Sequence, residues 1–180
     1  MALGATMFSF AVDLADVDRG VYEHLDLRVA RHPSETSEFM LTRLLAYLLE
    51  YQEGIAFSEG GVSSTDEPAV LIRDLTGRIT AWIEVGAPDA DRVHRGRKLA
   101  GRAAVYTHRD PEKVRMQLVG KGIHKVEEIP IYSFDSHFID AAVAAIERRN
   151  ALTLSITERE LYLDLNGSVL STAIAAHELS

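Results

Sequence analysis

Three carboxylates bracket the segment "DEPAVLIRDLTGRITAWIEVG": Asp66 and Glu67 at its entrance and Glu84 near its exit. Two apolar alternating runs, "AVLIRD" and "ITAWIEVG", flank the turn "LTGR", so the segment reads as a β-hairpin. A turn centred on Thr76-Gly77 sets Glu84 opposite Ala69 and Gly86 opposite Glu67. Side chains alternate across a strand, so Glu67 meets Glu84 diagonally on one face, and Asp66 joins them only where the chain turns. Asp74 belongs to the far end and is excluded as a partner. Two converging carboxylates, with no thiolate in the chain, make a hard oxygen site of the kind that takes Mg²⁺ or Mn²⁺. Such an ion activates water and neutralises charge on a phosphodiester. Glu84 interrupts an apolar run, where a charge needs water, a partner or a metal.

A third acid could come from Glu35 or Glu38 at the start of a long helix. Their ordinary role would be to complement the helix dipole, and local sequence favours that role. Other constellations are weak. The seven histidines (His24, His32, His94, His108, His124, His137 and His177) form no H-x-H or H-x-x-x-H pair, which disfavours zinc. His32 reads as a helix-entry hydrogen-bonding group and Trp82 as core. Ser34, Ser63 and Ser64 lack a nucleophile elbow, and "GKG" at Gly120–Gly122 is no P-loop.

The elements that must position these groups are legible from periodicity. "ATMFSFAVDLAD" and "GVYEHLDLRVARH" alternate around a turn at Asp18–Gly20 and predict an N-terminal hairpin. "HPSETSEFMLTRLLAYLLEYQEG" predicts a helix opened by Pro33 and Ser34 and ended by Gly54. "IAFSEG" is a short strand and "GVSSTDEP" is turn chemistry. After the hairpin, "APDADRVHRGRKLAG" predicts a helix weakened by Gly96. "RAAVYTHR" is a strand, and "DPEKVRMQLVG" a short helix opened by Asp110 and Pro111. "VEEIPIYSF" reads as a strand placed at an edge or bulge by Pro130. "DSHFIDAAVAAIERRN" is an amphipathic helix, and the tail carries a hairpin at Asn166-Gly167. The sum is a single α+β domain over residues 1–180 with two sheets.

Composition narrows the function classes. The chain has 180 residues, no cysteine and a formal net charge of −8, which argues against wholesale attraction to nucleic acid. From Pro88 to Lys125, however, ten Lys/Arg stand against four Asp/Glu, a local balance of +6. That permits a basic groove on an acidic body, or simply a solvated helix face. No basic leader precedes the first apolar stretch, and no apolar run reaches the roughly 20 residues needed to cross a bilayer. A soluble, cytoplasmic protein without a membrane partner is expected.

The order "RVARHPSETSEFMLTRLLAYL", "DEP", "WIEVGAPD" and a C-terminal alternating hairpin resembles the bacterial YaeQ family over essentially the whole chain. The resemblance implies a compact variant of the PD-(D/E)XK restriction-endonuclease-like core (helix, three-stranded meander, helix, strand). The N-terminal hairpin and C-terminal strands would then form a second sheet. It further implies a helix acid at Glu35 or Glu38, an acid at Asp66 or Glu67, and the (D/E)-X-K acid at Glu84. Here the pattern departs, because Gly86 occupies the lysine position. If the next helix begins near Asp89–Asp91, Arg92 and Arg95 share a face (i, i+3) close to the strand end, with Lys98 one turn further on. Arginine holds phosphate well but does not carry protons. The leading expectation is Mg²⁺- or Mn²⁺-dependent phosphodiester cleavage, or nucleic-acid binding at the same surface through the basic 88–125 segment. Metal would bind Asp66, Glu67 and Glu84. Glu35 or Glu38 would complete the site, and Arg92, Arg95 and Lys98 would hold phosphate. The alternative is a non-catalytic interaction protein on a degenerate nuclease scaffold, acting through a protein partner, with transcription as one setting.

Overall fold

The structure, a computed structural model, describes residues 4–59 and 67–179. The first half of the chain runs β1 (Thr6–Asp16), β2 (Val21–Arg31), α1 (Ser37–Leu49), β3 (Ile55–Phe57), β4 (Val70–Arg73), β5 (Ile79–Val85) and α2 (Ala90–Leu99). It continues with β6 (Arg102–Thr107), α3 (Pro111–Leu118), β7 (Ile131–Ser133), α4 (Ser136–Ala145), β8 (Arg149–Thr157), β9 (Glu160–Leu165), β10 (Ser168–Ala173) and β11 (Ala175–His177). Two compact units share these elements, Met1–Leu44 with Phe134–Ala175 and Leu45–Ser133 with Ala176–Ser180, so their boundary falls inside α1. The α+β class with two sheets is therefore observed.

The first unit holds a five-stranded sheet in the order β10-β9-β8-β1-β2. Its N-terminal hairpin follows the period-two pattern: Phe10, Val12 and Leu14 are buried while Ala11 and Asp13 face solvent. Asn166 and Gly167 both take positive φ at the β9–β10 turn, as their dipeptide requires. The β8–β9 turn does the same without glycine. Glu158 and Arg159 sit at φ 51° and 60°, and Asp18 accepts their N–H groups at 2.7 and 2.9 Å. These Arg159 and Glu158 N–H groups hold the Asp18 carboxyl below its ordinary 3.8. A lowered acid pKa means stability that is full above the unfolded value and lost as pH falls through the folded one. Asp18→Ala is accordingly expected to lower the melting temperature at neutral pH, with the gap to wild type closing below pH 3.8 in a melting series.

The second unit holds a six-stranded sheet, β11-β7-β6-β5-β4-β3, in which β3, β4 and β5 form an antiparallel meander. β5 pairs in parallel with β6, and β6 with β7. Residues from β5, β6, α2 and α3, among them Trp82, Val93, Val105, Val114 and Leu118, close one core. α1 is apolar nearly all round, and every residue from Met40 to Leu49 is buried.

Three local expectations are corrected. α1 begins at Ser37 rather than at Pro33 and Ser34, because Thr36 Oγ1 accepts the Phe39 N–H and caps it. The preceding "HPSE" closes a turn instead, with the Glu35 N–H donating to the His32 carbonyl and the His32 N–H to the Glu35 carboxylate. "VEEIPIYSF" is strand only over Ile131–Ser133; Val126–Glu128 is a 3₁₀ turn, and β11 places β7 inside the sheet. Gly96 does not interrupt α2. A Cβ there would lie 2.3–2.4 Å from the Trp82 ring, so glycine is what lets the helix settle on the indole.

Candidate functional site

Glu84 lies near the end of β5, two residues beyond Trp82 and on the same face. The hairpin register Val70↔Ile83, Leu71↔Trp82, Ile72↔Ala81 continues to the expected Ala69–Glu84 opposition, and a bulge between Ile72 and Arg73 is confined to the turn end. α2 covers this face. Asp89 caps the helix by accepting the Arg92 N–H at 2.8 Å, which fixes Arg92 in the first turn. The Arg92 Nε donates to Glu84 Oε2, and a terminal nitrogen donates to the Glu67 carbonyl at 2.6 Å. Glu84 is 4 % exposed. Burial pushes its carboxyl up from the ordinary 4.5; the Arg92 hydrogen bond and charge and the Ala69 N–H pull it down, Asp89 adds to the rise, and burial wins. Among the described residues its Oε1 has no close hydrogen-bond partner.

Glu67 reaches this corner through its main chain. Its carboxylate is held elsewhere, by Arg73 at 3.0 Å and the Ser58 hydroxyl at 3.1 Å. Asp66 lies outside the described residues. Gly86 is buried at φ 84°, with its N–H donated to the Tyr106 carbonyl at 2.8 Å. The left-handed backbone there explains why glycine stands at this position. A divalent ion needs several oxygens with open positions toward it. Here a guanidinium already lies against the central carboxylate, and the neighbouring carboxylate is engaged by a second arginine. Among the described residues no group of three His, Asp or Glu side chains could hold a metal. The described side chains therefore do not fit Mg²⁺ or Mn²⁺ as they stand.

The other expected site residues lie as follows. Glu35 precedes α1 in the first unit and forms a buried pair with Arg43, whose guanidinium also donates to the Ala30 carbonyl. Glu38 occupies the first turn of α1, half-buried, and its carbonyl accepts the Thr42 hydroxyl. Arg95 and Lys98 are exposed one turn apart on α2, lining a shallow hollow with Asp91, His94 and Leu99. Of the ten cations between residues 88 and 125, Arg92, Arg97, Arg102 and Arg115 pair with carboxylates. Arg95, Lys98, Arg109, Lys113, Lys121 and Lys125 are exposed, as is Arg102.

A buried polar cluster escaped the sequence reading. Glu50, just past the end of α1, accepts the Tyr106 hydroxyl at 2.7 Å and pairs with Arg102. Its signal is the one that marked Glu84, a charge ending an apolar run ("LAYLLE"), with a tyrosine inside "AAVYT" to match. Arg97 and Glu128 pair across 31 positions, a separation local sequence does not encode.

No helix among the described residues is long and apolar enough to cross a membrane. In comparison with known proteins, a family model described as YaeQ protein matches residues 1–174. The YaeQ proteins of Escherichia coli (strain K12) and Shigella flexneri, both named as uncharacterised, are each 40 % identical over 108 residues. That stretch is 60 % of this chain and 59 % of each relative, so the chain spans about three fifths of the curated relatives it matches. Two crystal structures, of the YaeQ proteins from Pseudomonas syringae and Xanthomonas axonopodis pv. citri, superpose with TM-scores of 0.87 at 29 % and 28 % identity. They cover 98 % and 97 % of this chain and are themselves covered to 98 %. The fold as a whole is thus shared with these two structures, and the chain belongs to the YaeQ family.

Proposed function

We propose that the chain is a non-catalytic nucleic-acid-binding module on a PD-(D/E)XK-like core whose metal position has been taken over by Arg92. The observation that carries this is the Glu84–Arg92 pair beside Gly86: the central acid is neutralised from within, and no lysine polarises water. The element order α1, β3-β4-β5, α2, β6, with β5 parallel to β6, supports the nuclease-like assignment. Arg95 and Lys98 supply phosphate contacts on the exposed side of α2, with the remaining exposed cations of the segment as auxiliaries. The overall charge of −8 keeps the affinity modest, with dissociation constants of roughly 10⁻⁴–10⁻⁶ M at physiological salt.

Fluorescence anisotropy with single-stranded DNA, duplex DNA and RNA in a chelator tests it. Binding is expected without divalent metal and to weaken steeply with salt. The Arg95→Ala, Lys98→Ala double variant is expected to flatten the salt slope by about 2. No binding at low salt, or binding that requires Mg²⁺, would overturn the proposal. So would metal-dependent cleavage abolished by Glu84→Ala.

A further inference from the structure

β2 is the terminal strand of the five-stranded sheet, and its open edge is unusual. It runs eleven residues, paired with β1 from Thr6↔Arg31 to Asp16↔Val21 with no register shift, and contains no proline. Soluble proteins generally shorten, bulge or break such an edge, because it is a template for another strand. Among the described residues no strand pairs with it.

The direction of its main chain follows from two contacts. The Ser9 N–H of β1 points to the Arg148 carbonyl, on the β8 side, so by alternation Phe8, Phe10, Val12 and Leu14 bond toward β2. Their partners Val29, Leu27, Leu25 and Glu23 are thereby satisfied, and the main-chain groups of Tyr22, His24, Asp26, Arg28 and Ala30 turn outward. The Ala30 carbonyl confirms it by accepting the Arg43 guanidinium at 2.7 Å, which also covers the edge at that residue and leaves Tyr22 to Arg28 as its open part. Leu25 and Leu27 remain only half-buried at this edge, and Tyr22 is 63 % exposed.

We infer that this edge pairs antiparallel with β2 of a second copy of the chain, about a two-fold axis at Leu27. Only registers that set outward-turned residues opposite one another close the ladder, and the side chains choose among these. Centring on Asp26 sets that aspartate against itself, and centring on Arg28 opposes two arginines. Centring on Leu25 sets Leu27 against Glu23. Centring on Leu27 sets Arg28 against Asp26, Arg31 against Glu23, Leu25 against Val29 and Leu27 against its own copy. The charges of Glu23, Asp26, Arg28 and Arg31 then face their opposites and Leu25, Leu27 and Val29 face aliphatic groups, each pair off the axis occurring twice as a two-fold requires, while Ala30 falls opposite His24. The charges that usually guard an edge here are complementary in one register.

Sedimentation equilibrium tests it. The wild type is expected to dimerise, with a micromolar dissociation constant suited to a small, strand-only interface. Asp26→Arg and Arg28→Asp should each be monomeric alone and dimerise when mixed, because the mixture restores both ion pairs. Since the chain has no cysteine, Leu27→Cys should cross-link to its own copy on oxidation and Leu25→Cys should not. A wild type that stays monomeric to about 100 µM, charge reversals without effect, or a mixture that fails to associate would overturn the inference. The cysteine pair keeps the register testable if a charge reversal does not fold.

Discussion

Arg92→Ala is expected to destabilise the chain by about 3–5 kcal/mol, because it strands a buried carboxylate without its cation. Glu84 is 4 % exposed, and burial already lifts its pKa although Arg92 opposes the rise. The sign of the pH dependence follows. A carboxyl whose folded pKa lies above its unfolded value makes the folded state the better proton binder. Stability from this group therefore falls as pH rises from the unfolded value of 4.5 through the folded one. Without Arg92 that pKa climbs further and the falling window widens upward. Urea unfolding should show the variant closer to wild type at pH 5 than at pH 8. Adding Glu84→Gln should restore part of the loss and remove the pH term. A loss below about 1 kcal/mol, the size of an exposed pair, would show that Arg92 is not the partner of this carboxylate.

Gly96→Ala should also destabilise, and here two rules give opposite signs. Helix propensity alone predicts a gain of roughly 0.8–1 kcal/mol for alanine over glycine in a helix interior. The Trp82 ring, 2.3–2.4 Å from where the Cβ would sit, and 1 % exposed, predicts overpacking with a net loss of about 1–3 kcal/mol. Because α2 rests on this indole and carries Arg92 one turn earlier, the same substitution should disturb the Glu84 pair. Trp82 is the single tryptophan, so its emission reports the displacement directly. A stabilised Gly96→Ala variant with unchanged emission would contradict the close approach.

Both positions show how far local sequence reaches. The hairpin register was legible because alternation and the "LTGR" turn leave one pairing that buries Val70, Leu71, Trp82 and Ile83 together. The Glu84 anomaly was legible for the same reason, as a charge inside an apolar run. The role of Gly96 was not, since propensity describes a helix in isolation and the indole arrives from a strand fourteen residues earlier. Glu35 was expected as the third acid of the site or as a dipole complement; its partner is Arg43, and the helix it was assigned to starts two residues later. The parallel pairing of β1 with β8 joins residues some 140 apart, which no local pattern specifies. At least four of the ten cations in the basic segment bind carboxylates of the chain itself, so counting charge overstated what is offered to phosphate.

In the proposed reading Arg92, and not a divalent ion, neutralises Glu84. A crystal soaked in Mn²⁺ and measured at the manganese edge tests it most directly. No anomalous peak is expected within coordinating distance of Glu84, with the Arg92 guanidinium still on Oε2 and on the Glu67 carbonyl. A peak shared by Glu84 and Asp66 or Glu67, with Arg92 swung away, would contradict it and restore the metal-dependent nuclease reading.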